Sequence, residues 1–269
     1  MKKRNNMISI VMPAYKEEGI IEKSLLETVA VMDKIGSDYE IICVVDGKLD
    51  DTERNAKRVM KKHPDKVKVF SYRNNAGKGH AVRYGFAKVK GDIVGFFDAG
   101  FDINHQAIEM LLLHLKWYNA DIIVGSKRHP ASKVNYPWQR RIISFGSQFL
   151  VRLLFGLKIK DTQVGIKFFR REVLEAITPR LLVKEWAFDI EILAVSNYLG
   201  FKRIFEAPIE LKLDFNKMSA VISQGFFRIL IKALWDTVAI FYRLYILRYY
   251  NDSNKPNWIT PKYLTLNKK

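Results

Sequence analysis

An α/β fold built on a mostly parallel, twisted sheet is the class this sequence predicts, and three observations carry it. Short β-rich runs alternate with helical patterns along the first half of the chain. Acidic or loop residues close successive runs, at Asp46-Gly47 and at Asp98. The run Ile93 to Phe97 is apolar throughout, as befits a central strand buried on both faces. With 48% hydrophobic and 27% charged residues, the 269-residue chain can bury a full core, which excludes wholesale disorder.

Each element follows from its local pattern. Met7 to Met12 reads as the first strand, followed by a Pro13-Ala14-Tyr15 turn and an amphipathic helix from about Glu17 to Ile35. Glu40 to Val45 is a second strand, and a helix from about Asp51 to Lys62 leads to a third at Lys66 to Tyr72. A glycine-bearing loop at Asn74 to Gly79 opens a helix that runs to about Val89. After the strand at Ile93 to Phe97, a helix near Gln106 to Tyr118 precedes a strand at Asp121 to Val124. Ligands of open α/β sheets bind beyond the carboxyl ends of the strands. Asp46 and Asp98 are therefore expected to share one crevice despite their distance in sequence.

Past residue 125 the character changes. Lys127 to Lys184 holds 13 Lys and Arg against 3 Asp and Glu, in a chain whose 45 basic and 28 acidic residues give a net charge of +17. Such an excess implies anionic partners. Trp138 to Leu157 spaces its apolar residues helically among Arg140, Arg141 and Arg152, and Phe226 to Tyr250 repeats the style. Basic amphipathic helices with aromatics suit the headgroup layer of a membrane. Nucleic acid fits less well, because the basic residues coincide with apolar amphipathic stretches. One cysteine, Cys43, excludes an intrachain disulfide framework and a cysteine-based zinc site. The basic start does not read as a signal peptide, and no stretch reaches the roughly 20 apolar residues that span a bilayer.

Several motifs have a chemical reading beside a structural one. Asp98-Ala99-Gly100-Phe101-Asp102 follows a buried strand, and two carboxylates so placed suit Mg²⁺ or Mn²⁺ held against a diphosphate. The alternative is a loop or cap residue. Asp46, with Gly47, Asp50 and Thr52, suits a base or ribose, or merely ends a strand and caps a helix. Arg73 to His80 lacks the spacing of a P-loop, so Lys78 either meets phosphate or sits in a tight turn. Asp161 to Lys167 is a polar insertion between apolar stretches, read as an acidic site loop or a plain turn. In Trp186 to Glu191 the aromatics are assigned to the core, while Asp189 and Glu191 point elsewhere.

Four segments in order, VMPAYKEE, VVDGKLDDT, RNNAGKGHAVRYGF with FFDAGFD, and DTQVGIKFFRRE, resemble the family-2 glycosyltransferases of the dolichyl- and polyprenyl-phosphate sugar synthase type. The last segment and WAFDIEIL are most similar to the branch that makes glucosyl-phospho-dolichol from UDP-glucose. The resemblance runs from about Ser9 to Leu213 and implies a nucleotide-diphospho-sugar transferase (GT-A type) fold. It further implies that Pro13, Tyr15, Glu17, Val44 and Asp46 surround the nucleoside, with Asp98 and Ala99 also on the donor; Lys78, read from its own loop, joins them as a candidate donor contact. Asp98 matches the first aspartate of the family's D-x-D; the second is Gly100 here, and Asp102 stands where a further metal-side residue falls. Lys48 replaces the serine of the family's DDGS segment. Lys127 and Arg128 match the GSR segment, Arg140 or Arg141 the lipid-phosphate arginine, and Asp161 an aspartate suggested as a base.

The expected reaction is inverting transfer of a hexose, leaning to glucose, from a nucleotide sugar to a polyprenyl or dolichyl phosphate, with Mg²⁺ or Mn²⁺ as cofactor. Asp98, Asp102 and Asp161 are the candidate catalytic residues, Asp98 and Asp102 the candidate metal ligands. Lys127, Arg128, Arg140 and Arg141 are the candidate acceptor-phosphate ligands. UDP-glucose leads GDP-mannose as donor. Two competing expectations are a glycan or glycolipid hydroxyl as acceptor and a non-catalytic basic binding protein. The chain divides on this reading into a catalytic domain at 1–213, a membrane-associated amphipathic helical region at 214–250 and a polar tail at 251–269. Its expected location is peripheral, on the cytoplasmic membrane face.

Overall fold

The computed structural model describes residues 7–100, 102–133, 148, 150–185, 187–211, 226–259 and 261. Seven strands form one sheet in the order β3-β2-β1-β4-β6-β5-β7. They are β1 (Ile8–Ala14), β2 (Tyr39–Asp46), β3 (Val67–Tyr72), β4 (Ile93–Phe97), β5 (Ile122–Ser126), β6 (Ile166–Arg170) and β7 (Ile204–Pro208). Helices α1 (Ile21–Ile35), α2 (Thr52–Lys62), α3 (Lys78–Phe86) and α4 (Ala107–Trp117) occupy the connections of the first half. Helices α5 (Arg171–Ile177), α6 (Phe188–Tyr198) and α7 (Phe226–Phe241) follow.

Alternation along the strands builds two cores. Ile8, Ile10 and Met12 of β1 point to one face, where Leu25, Met32, Val59 and Leu111 cover them; Val11 points to the other, packed with Val82, Phe96 and Phe188. A strand covered on both faces favours apolar residues at successive positions, and the polar ones it holds are paired, as Ser9 Oγ is with Glu40 at 2.8 Å. That is why β1, β2 and β4 read as continuous apolar runs. Cys43 lies in the first core, and burial pushes its thiol up to about 12, which removes it from nucleophilic chemistry at neutral pH.

All pairings are parallel except those of β6, which runs antiparallel between β4 and β5. Here the structure corrects the sequence reading. Asp161 to Lys167 is not a loop throughout: residues 166–170 form a strand whose Lys167 is fully buried between Phe96 and Val124 in the ladder. β7, which shows no alternating pattern of its own, extends the sheet beside β5. The stretch Phe226 to Tyr250 is also not one helix: α7 ends at Phe241, a π-helical turn covers Tyr242–Ile246, and Tyr250 is fully buried. The expected domain boundary near residue 213 falls outside the described residues, as does most of 138–149.

Near the first strand ends, Glu53 ties α2 to the neighbouring loop and strand. It accepts from Lys57 Nζ at 2.6 Å and Ser71 Oγ at 2.9 Å, with Lys48 Nζ at 3.0 Å. These partners, the Lys57 hydrogen bond first, hold its carboxyl at about 2 against the opposing effect of burial. A depressed folded pKa stabilises above the unfolded value of roughly 4.3 and is lost as pH falls toward the folded value. Glu53→Gln is therefore expected to lower stability at pH 7 and to converge on the wild type near pH 2. Urea unfolding at the two pH values checks it; a gap of equal size at both would exclude this ionisation as the source.

Candidate active site

The crevice forms where the strand order turns back on β1, with β2 on one side and β4 on the other. Asp46 stands at the end of β2, 3% exposed, and its two oxygens accept the backbone N–H groups of Ala76 at 2.7 Å and Gly77 at 3.0 Å. The carboxylate thus pins the glycine loop to the sheet. The glycines answer to close approach rather than to phosphate. Gly77 has φ +97°, and a Cβ there would lie 2.4 Å from the Lys184 carbonyl oxygen; one at Gly79 would lie 2.6 Å from Phe188 Cβ.

On the same side, Tyr15 is exposed and Pro13 half-buried. Glu17 begins the approach to α1, its N–H donating to Thr52 Oγ1 at 2.8 Å. Thr52 in turn donates its N–H to Asp50 Oδ1 at 3.0 Å. Val44 lies deeper. It pairs in register with Pro13, but its side chain has no exposed surface and belongs to the core, so it backs the crevice without lining it.

Asp98 closes β4 and Ala99, 2% exposed, follows it into the core. The Asp98 N–H donates to the Gly165 carbonyl at 2.8 Å, just before β6. A Cβ at Gly165 would fall 2.1 Å from Asp98 Oδ2, so glycine is what lets the carboxylate lie against this loop. Oδ2 accepts from Lys78 Nζ at 2.9 Å, whereas Oδ1 is enclosed and has no hydrogen-bond partner among the described residues. Burial raises the Asp98 pKa, with Lys78 opposing it. Lys78 is only 17% exposed and also reaches Asp189 Oδ2 at 3.5 Å. Burial works to lower its pKa, but Asp189 and Asp98 outweigh that and leave it raised. Lys78 therefore neutralises the carboxylates beside it instead of standing open to solvent.

Behind Asp98 the charge array continues inward. Asp189, in the first turn of α6 and 1% exposed, binds Lys167 Nζ through Oδ1 at 2.5 Å, and Lys167 also donates to the Val164 carbonyl at 2.7 Å. Both ammonium groups stand over the Phe96 ring, at 5.3 and 5.0 Å from its centroid. Sequence reasoning leaves Lys167 without a role and Asp189 undecided. The one signal was a lone lysine within the apolar run Ile166 to Phe169, which demands a buried counter-ion.

The basic side of the site sits at the end of β5. Lys127 donates its N–H to Asp161 Oδ2 at 3.1 Å and brings Nζ to 3.9 Å from the same oxygen. Arg128 donates its N–H to Ser126 Oγ at 3.2 Å. Burial lowers the Arg128 pKa against the pull of Asp161 and Glu206. Asp161 is 2% exposed; its Oδ1 accepts the Gln163 N–H at 3.4 Å and its own N–H binds Glu206 Oε1 at 3.0 Å. The enclosed carboxylate thus holds Lys127 by its backbone N–H and faces its ammonium group. Arg140 and Arg141 lie outside the described residues.

Divalent metal is a question for Asp98 and Asp102. The enclosed, unpaired Oδ1 of Asp98 and the exposed Asp102, whose Oδ2 lies 3.8 Å from where a Gly100 Cβ would be, are hard oxygen donors of the right chemistry. No cluster of three or more His, Cys, Asp or Glu occurs among the described residues, so among them Asp98 and Asp102 are the candidate ligands. That fits an ion that shares its shell with a diphosphate.

Comparison with known proteins agrees with this architecture. The chain is 30% identical over 92% of its length to the dolichyl-phosphate beta-glucosyltransferase of Saccharomyces cerevisiae, of which it spans 78%. It is 33% identical to the Drosophila melanogaster protein of that name, over 79% of this chain and 69% of that one, and 32% identical to the human one, over 75% and 64%. Among solved structures, glucosyl-3-phosphoglycerate synthase from Mycobacterium tuberculosis, in complex with Mn²⁺, UDP and phosphoglyceric acid, superposes with TM-score 0.60 at 21% identity. The match covers 86% of this chain and 78% of that one. The same enzyme is also known with Mg²⁺ and UDP. The fold is thus that of a GT-A glycosyltransferase. The sequence pattern of glycosyl transferase family 2 matches residues 9–178, which hold the whole crevice from Pro13 through Asp98 to Asp161, and the chain belongs to that family as a glycosyltransferase.

Proposed function

We propose that this enzyme transfers a hexose, glucose in the leading case, from a nucleotide diphosphate sugar to dolichyl or another polyprenyl phosphate at a membrane surface, with inversion at the anomeric carbon. The observation that carries the reading is the pairing of two unlike half-sites along one sheet edge. One is the Asp98 carboxylate with its unsatisfied Oδ1; the other is Lys127, braced by Asp161, beside Arg128. The relatives named dolichyl-phosphate beta-glucosyltransferase support the acceptor and the sugar.

On this reading Tyr15 and Glu17 flank the nucleoside, and Asp46 shapes the loop beneath it. Asp98 and Asp102 hold Mg²⁺ or Mn²⁺, which supplies charge stabilisation to the departing diphosphate. Arg128 and Lys127 hold the acceptor phosphate, a guanidinium fork matching two phosphate oxygens. A phosphate oxygen forms the new bond to the anomeric carbon as the bond to the nucleoside diphosphate breaks. The phosphate is already anionic near neutral pH, so alignment rather than proton removal limits the step. Leu234, Trp235 and Val238 are exposed on α7, with Ile246 and Leu247 just beyond and Arg248 nearby. This face supports seating on an anionic bilayer. No helix among the described residues is long and apolar enough to cross one.

The test is product formation by the full chain with polyprenyl phosphate in anionic vesicles, Mg²⁺ or Mn²⁺, and a panel of labelled UDP- and GDP-hexoses. A chelator-sensitive glucosyl lipid from UDP-glucose is expected. A product only with another hexose corrects the sugar. Transfer to a glycan hydroxyl with none to the lipid phosphate would overturn the acceptor.

A further inference from the structure

We propose that Asp189 is a positioning residue: braced by Lys167, it holds Lys78 against Asp98 Oδ2 and so fixes the orientation of the Asp98 carboxylate at the donor side. The inference rests on the donor-site reading of Asp98 given above. Asp98, Lys78, Asp189 and Lys167 alternate in sign along a line of ion pairs of 2.9, 3.5 and 2.5 Å that leads from the crevice to the middle of β6. Lys167 and Asp189 have no direct access to a substrate, being 0% and 2% exposed at their side chains. Their influence on the site passes through Lys78 and through the segment Val164–Gly165.

The array also fixes the wall on which Asp98 rests. Lys167 Nζ holds the Val164 carbonyl, and the next residue, Gly165, accepts the Asp98 N–H and leaves the gap its carboxylate enters. Backbone and side chain of Asp98 are thus positioned by the same buried pair. Stability alone gives little reason for such a pair, since well-packed apolar residues of equal volume commonly replace buried ion pairs without loss. Orientation of a reactive carboxylate does give one. The placement also speaks against Asp189 as a base: its two oxygens are occupied by ammonium groups and it meets no solvent.

Asp189→Asn alone leaves Lys167 without its counter-ion and is expected to unfold, so the informative variant is Lys167→Met with Asp189→Asn, which removes both charges at similar volume. It is expected to melt within a few degrees of the wild type, yet to bind UDP with Mn²⁺ at least tenfold more weakly by calorimetry. Its donor KM should rise while its KM for polyprenyl phosphate stays unchanged. In a Lys78→Met background the same pair of changes should add less than in the wild type, because one of the two paths is already cut. A crystal structure of the double variant is expected to show the Lys78 ammonium drawn away from Asp98, or the Asp98 carboxylate turned. Wild-type UDP–Mn²⁺ affinity with an unmoved Asp98 would overturn the proposal. So would loss of kcat alone together with the alkaline limb of the pH profile, the mark of a base. UDP–Mn²⁺ affinity, melting and the crystal structure need no acceptor, so absence of lipid product from the wild type would sink the acceptor assignment while leaving this one standing.

Discussion

Asp98→Asn is expected to lower turnover by about a hundredfold or more while the protein folds normally. An amide keeps the shape of the carboxylate but halves its acceptor set and removes its charge, and loss of one electrostatic contact of this kind costs on the order of 3 kcal/mol in the transition state. The fold should tolerate the change for reasons visible in the structure. Lys78 retains Asp189 as counter-ion, and the Asp98 N–H keeps its bond to Gly165. Burial already raises the Asp98 pKa, so a neutral side chain there escapes a desolvation cost that the charged one bears. Steady-state kinetics beside thermal melting checks both halves. Near-normal turnover would remove Asp98 from the donor site. Lost turnover with lost melting would make its role structural.

Glu191→Ala carries the largest expected effect on stability, a loss of about 3 kcal/mol. Glu191 is wholly buried two residues beyond Asp189 on α6. Its carboxylate accepts the N–H groups of Leu182 and Val183 at 2.9 to 3.1 Å and the Tyr250 hydroxyl at 2.7 Å, with Arg243 at 3.6 Å. Alanine strands all of these donors at once in a place water does not reach. The same bonds fasten the chain after α7 to the catalytic core, aided by Arg180, which donates to the Tyr250 carbonyl and to Asp252 and stacks 4.3 Å from the Trp258 ring. Melting of the variant should fall by roughly 6 to 12 °C for a domain of this size. Limited proteolysis should cut near Arg248 sooner than in the wild type. An unchanged melting curve would mean that the C-terminal segment holds by its apolar packing alone.

Burial also sets the sign of the pH response at Glu191. Its pKa is raised, with Tyr250 and the backbone donors pulling the other way, so its contribution is fully present below the unfolded pKa of about 4.3 and is lost as pH rises through the folded value. Glu53 behaves oppositely, being held at about 2. The two carboxylates thus act on stability in opposite senses across the acid range.

Local pattern encodes the class of this fold and the family of this chain. Apolar runs ending at Asp46 and Asp98, separated by amphipathic helices, suffice to read an α/β sheet and to bring those two carboxylates to one edge, as β2 and β4 flanking β1 do. The four motif segments suffice to identify the family. Pairing between distant segments settles the rest. β6 runs antiparallel to β4 and β5, which lie roughly 70 and 45 residues away in sequence, and no local period reveals a partner at that range. The same pairing turns Lys167 from a surface-like charge into a buried one and thereby requires Asp189. Gly165 reads as a turn residue, yet it is the space into which Asp98 fits. The resemblance names Val44 beside the nucleoside, and strand alternation points its side chain into the core. Sequence records which groups are present and how each short segment prefers to fold. Which charge meets which, and which side chain is left without a partner, depends on the approach of segments far apart in the chain.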